Sequence, residues 1–219
     1  MFILIKKDIQ ANHWGIYVGT IIFLLITYLI TLPPTIIYLL TCFSIIFSAF
    51  SYDDKADANR YFLSMPIIKA DIVKSRYLYS IVIIIGTLLI QLIIMVMTHF
   101  IFATHFYMYS WQDSITLIGI AFLMIAVFTP VMYYFHSIIN AMFSILFLVG
   151  LSTMVMMGEL DKVLSFTNTI IFNDIDHGFS LLVEKYFPSP AHVLFIISTS
   201  ILLYLSMLLS TSLFKKKDY

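Results

Sequence analysis

Long uncharged runs separated by short charged ones set the pattern of this chain. No Asp, Glu, Lys or Arg occurs in residues 9–52, 77–112, 114–158 or 186–214. A helix needs about 20 apolar residues to cross about 30 Å of hydrocarbon. Residues 15–32 and 35–51 are two such runs, split by Pro33-Pro34, whose missing backbone donors favour a tight turn. The second run is short, and at about 1.5 Å per residue it just reaches across. Residues 77–100 form a third. The uncharged stretch 114–158 would make about 68 Å of helix at that rise. It therefore predicts two spans, with a turn near His136 and a kink at Pro130 just before it. Residues 191–214 are the sixth run, and 215–219 a short basic tail. The expected fold is all-α, a single transmembrane domain of six helices over 1–219.

The pieces between the spans also carry helical spacing. In 1–14, Phe2, Ile5 and Ile9 share one face while Lys6 and Lys7 lie elsewhere, and Trp14 suits a membrane interface. This predicts an interfacial helix leading into the first span. It is not a secretory signal, because the apolar run precedes the basic pair and no small-residue cleavage site follows. In 158–190, Phe179, Leu182, Val183, Tyr186 and Phe187 recur at i, i+3, i+4, i+7 and i+8. Leu160, Val163, Leu164, Phe166, Ile170 and Ile171 repeat the pattern more loosely, with Asp161 near a helix start. Two short amphipathic helices are expected, lying on the outer leaflet or dipping into it where protein covers their backbone.

Composition turns these runs into membrane spans. The chain is 61% hydrophobic and 11% charged, with a mean hydropathy of +1.00. Soluble domains carry about 25% charged residues. The net charge of zero is uninformative, because a multi-pass protein sorts its charges by side. With six spans, ten of the twelve basic residues fall on the side of the termini and the 52–76 loop, and only Lys162 and Lys185 on the other. The basic side is therefore expected to be cytoplasmic, with the chain in a bacterial plasma membrane. Asp113, Glu159, Asp161, Asp174, Asp176 and Glu184 fall on the opposite side.

Several functions are argued against. Ion-coupled carriers keep ionisable groups at membrane depth, and these runs have none. Gly86, Gly119 and Pro130 interrupt the later spans, and no internal repeat offers paired broken helices. No G-x-x-x-x-G-K-[ST] loop exists to bind ATP, so energy for transport would come from another chain. The six histidines (13, 99, 105, 136, 177 and 192) lack zinc-site spacing, and Cys42 is the single cysteine. No metal, catalytic residue or nucleic-acid partner is expected. His136 and Asn140 read as a turn residue and a helix-packing amide. The aromatic stretch around His99 and His105 reads as an interfacial belt.

One charged segment stands out. Between Asp53 and Arg76 lie nine charged residues: Asp53, Asp54, Lys55, Asp57, Arg60, Lys69, Asp71, Lys74 and Arg76. An ordinary positive-inside loop needs the bases but not four acids, nor the cluster Tyr61, Phe62, Leu63 and Met65. Such a mixture anchors protein contacts. A helix from Asp53 to Leu63 is expected, with Asp53 and Asp54 at its positive end and Arg60 at the other. Pro66 breaks it, and a second short helix from Lys69 leads through Asp71, Lys74 and Arg76 into the third span. A membrane scaffold or sensor that binds a cytoplasmic partner without transporting would serve the same loop.

The basic start LIKKDI, the two closely joined spans and the loop YDDKADANRYFLSMPIIKADIVKSRYL resemble six-span permease subunits of ATP-binding-cassette exporters. The likeness runs from the acidic start through Ser64-Met65-Pro66 to Ile72–Tyr77. It implies an N-terminal elbow helix, a coupling helix in the 52–76 loop, and re-entrant helices before the sixth span. It implies a separate ATPase subunit that binds ATP and Mg, and a second permease, the same or homologous. The ATPase contacts would be Asp53, Asp54, Arg60, Tyr61, Phe62 and Met65, with Pro66 as the break. Lys69, Asp71, Lys74 and Arg76 would orient the second helix. The implied cargo is an amphipathic peptide or a lipid-like molecule, in contact with membrane lipid.

Overall fold

The computed structural model describes residues 2–12, 14–29, 33–55, 68–102, 108–135, 137–164 and 172–216. Among them all regular structure is helical: α1 Phe2–Ala11, α2 Trp14–Leu29, α3 Pro34–Lys55, α4 Lys69–Phe102, α5 Trp111–Tyr134, α6 Ile138–Leu164, α7 Phe172–Tyr186 and α8 Ala191–Lys216. Five of these, α3, α4, α5, α6 and α8, are long and apolar enough to cross a membrane. The pair α1 and α2, bent by 64° between its arms, passes the same test when taken together. Among the described residues there are thus five or six candidate spans.

Lipid is as apolar as leucine, so burial alone does not hold membrane helices together; close packing and interhelical hydrogen bonds do. Both are concentrated on α5 and α8. Gly119 of α5 sits against the Phe195 ring so closely that a Cβ there would overlap Cε1. Farther along, Ser206 donates to the Ala126 carbonyl at 2.6 Å and lies 2.7 Å from the Tyr77 hydroxyl, which is 2.9 Å from Ser210. These bonds join α8 to α5 and α4. In α3 and α4, Tyr38 donates to the Ile84 carbonyl at 3.1 Å, and Cys42 lies 3.0 Å from the Thr87 hydroxyl. Buried Gln91 donates to the Pro34 carbonyl at 2.8 Å, fastening the start of α3 to α4. By contrast α6 buries Ala141 and Ile145 and exposes Phe143, Phe147, Met154 and Val155.

The structure redraws four elements. Asp53 does not begin a new helix: α3 continues through it to Lys55. No separate short helix precedes the third span, because α4 runs unbroken for 34 residues from Lys69. Leu160, Val163 and Leu164 belong to the end of α6 rather than to a separate amphipathic helix, and Phe166, Ile170 and Ile171 lie outside the described residues. The stripe on α7 buries Leu182 and Val183 and half-buries Phe179 and Phe187, but Tyr186 is exposed. In each of the first three cases the helix extends beyond its uncharged run, a boundary that hydropathy does not register. Asn140 is exposed rather than turned to a neighbouring helix, and His136 lies outside the described residues.

Candidate functional site

The ends of the charged segment meet at the basic end of the bundle. Asp53 stands in the last turn of α3, where a carboxylate faces the negative end of the helix dipole. Cations offset that position. The Lys7 ammonium of α1 donates to both Asp53 oxygens at 2.9 Å. The Arg76 guanidinium of α4 donates to Asp53 Oδ2. Asp8 joins the group, 2.9 Å from Lys7 and 3.4 Å from Arg76. Two positive and two negative charges therefore share one site.

The site is dry. Asp8 is 2% exposed, Arg76 3% and Asp53 8%. Taking such ions out of water costs several kcal/mol each, which mutual attraction recovers only with good geometry. Arg76 gains a further contact, its guanidinium carbon lying 4.6 Å from the Phe50 ring centre. Phe50 in turn packs edge-on against Tyr133 at 5.6 Å, and Tyr133 against Phe214 at 5.3 Å. The charge cluster thus rests on rings from α3, α5 and α8.

A neutral polar layer lies beside it. Asn12, 2% exposed at the bend after α1, donates to the Ile45 carbonyl at 3.0 Å and to the Tyr79 hydroxyl at 2.6 Å. Ser48 donates to Asn12 Oδ1 at 2.5 Å, and Tyr17 lies 3.3 Å from Tyr79. Leu4, Asp8 and Asn12, at spacings of four, form the face that α1 turns inward. The expected face of Phe2, Ile5 and Ile9 differs, and Ile9 is 43% exposed.

The other predicted contacts distribute around this cluster. Asp54 and Lys74 are exposed, and Lys69 and Asp71 half-buried. The Lys69 ammonium reaches the Lys215 carbonyl near the end of α8, 3.5 Å away. Arg60, Tyr61, Phe62, Met65 and Pro66 lie outside the described residues. Sequence reasoning missed Lys7, Asp8, Asn12 and Phe50 as partners of the segment. A signal existed for Asp8, the one acid before Asp53.

Next to Phe50 an apolar cleft runs between α3 and α5, lined by Phe43, Phe47, Phe50, Met124, Phe128 and Met132 among others. Phe43 and Phe128 meet edge-on at 5.3 Å. Among the described residues no group of acids, histidines and cysteines could hold a metal ion.

The sequence model for the ABC-2 family transporter protein matches residues 2–215, nearly the whole chain. The chain belongs to the ABC-2 transporter family. No curated protein and no solved structure matches it. As an ABC-2 permease it is a multi-pass membrane subunit of an ABC transporter, and its family implies a partner ATPase.

Proposed function

We propose that this ABC-2 permease is half of the membrane pathway of an exporter, paired with a second permease and driven by ATPase subunits bound to the cytoplasmic 53–76 loop. In this reading all six candidate spans cross the membrane, with both termini in the cytoplasm. ATP and Mg bind the partner chain, and this chain catalyses nothing. The observation that carries the reading is the buried Lys7–Asp8–Asp53–Arg76 cluster. It ties both ends of the loop to each other and to α1. A push on the loop therefore moves α1, the end of α3 and the start of α4 together, as a rigid element switching between two packings. Exposed Asp54 and Lys74, with Arg60, Tyr61, Phe62 and Met65, are left to meet the ATPase.

The cargo we propose is an amphipathic peptide, such as a phenol-soluble modulin. Uncharged spans and the Phe- and Met-lined cleft between α3 and α5 suit apolar side chains better than sugars or ions.

The test is purification from the native membrane in mild detergent, with mass spectrometry of what stays bound. A soluble ATPase in about equal amount, lost on replacing Tyr61 and Phe62 by alanine, supports the reading. A co-purified second permease would establish a mixed pair. If no ATPase is retained at any detergent strength, the chain acts instead as a scaffold or sensor.

A further inference from the structure

At the opposite end of the bundle, three consecutive residues of α7 tie it to its neighbours on two sides. On one side His192, 4% exposed in the first turn of α8, is held at both ring nitrogens. Its Nε2 lies 3.2 Å from Glu184 of α7, and its Nδ1 3.1 Å from the Thr116 hydroxyl of α5. On the other side Glu159 of α6 accepts from Lys185 at 3.3 Å and from the Tyr186 hydroxyl. Beneath these ties α7 seats Leu182 and Val183, and Phe187 meets Phe195 edge-on at 5.5 Å.

The chemistry sets the direction of the hydrogen bonds. An ionised carboxylate only accepts, so His192 Nε2–H donates to Glu184. In the neutral ring Nδ1 is then an acceptor, and the Thr116 hydroxyl donates to it. Trp111 stands edge-on to the imidazole at 6.2 Å. Other charged groups on the surrounding helices are already engaged: Asp113 caps α5 with Ser110, and Lys185 pairs with Glu159. The imidazole is thus a three-helix junction, bonded through one nitrogen to the short helix and through the other to α5. A short helix whose described side chains seat through Leu182 and Val183 and are tied by these polar contacts can open locally without unfolding the rest.

We propose that α7 is a lid over this end of the bundle, latched to α5 and α8 through Thr116–His192–Glu184 and to α6 through Glu159. That the lid covers the exit of a transport path rests on the exporter reading; that it opens as a unit does not.

The test uses the full chain in its native membrane, with Cys42→Ala and a reporter Ser180→Cys on the buried face of α7. A membrane-impermeant maleimide is added from the side of α7. Labelling should be slow in the latched chain, roughly tenfold faster with Thr116→Val, which loses a buried hydrogen bond, and faster by a smaller factor with Glu184→Gln, which weakens a part-buried one. Hydrogen exchange of the same purified variants should rise across 178–187 and stay unchanged in α5 and α8. Unchanged labelling in both variants would overturn the latch. Loss of exchange protection throughout α5 and α8 would overturn the lid, by showing that the junction belongs to the core.

Discussion

Asp53 and Arg76, twenty-three positions apart, form one buried ion pair, so the end of α3 and the start of α4 meet at a single point. In the proposed exporter, a push on the loop would therefore reach both helices at once. Lys7 and Asp8 extend that meeting point to the helix that precedes the first span.

Removing one member of the cluster should destabilise the whole protein. Arg76→Met leaves two buried carboxylates facing one ammonium, a change that costs about 3–5 kcal/mol. Its melting temperature in detergent should fall sharply, with less protein in the membrane. Arg76→Lys should lie between, because lysine keeps the charge but loses the planar fork and the stacking on Phe50. The exchange Asp53→Arg with Arg76→Asp should recover part of the loss. A melting temperature untouched by Arg76→Met would show that the cluster does not hold the helices together.

Neighbouring acids should behave differently. Asp54 is exposed, so Asp54→Lys should change stability by no more than about 0.5 kcal/mol while weakening retention of the ATPase. Asp53→Lys places three cations around Asp8 and should remove the protein from the membrane. Quantifying membrane protein and bound ATPase together separates the two. Equal loss of protein from both would show that Asp54 serves packing as well.

Gly119 and Phe195 should be coupled. A methyl at Gly119 meets the ring well inside contact distance, so Gly119→Ala should cost about 1–3 kcal/mol unless the ring moves. Phe195→Leu gives up the ring that the methyl would strike. The double variant should therefore be more stable than the sum of the single losses predicts, as a thermal double-mutant cycle would read. Strict additivity would mean that the two helices shift apart instead.

The proposed orientation has its own test. In a Cys42→Ala chain, impermeant maleimide added outside intact cells should label Lys185→Cys at once. It should reach Lys55→Cys only after the membrane is opened. The reverse pattern would place the charged loop outside the cell and end the exporter reading.

The sequence by itself determined that this is a multi-pass helical membrane protein. That conclusion is additive: each uncharged run of about 20 residues contributes whether or not its neighbours are known. It also located the charged segment, because nine charges in so apolar a chain cannot be hidden by composition. What only the tertiary structure decided was which of those charges face each other. Asp53 and Asp54 are adjacent and chemically alike, yet one is buried against Arg76 and Lys7 and the other is exposed. Their difference arises from the rotation of α3 against α1 and α4, which no local pattern encodes. The same holds for His192, indistinguishable in sequence from five other histidines until α5 and α7 bring Thr116 and Glu184 to its two nitrogens. Helix existence is a property of a run of residues, whereas an ion pair or a junction is a property of three helices packed together.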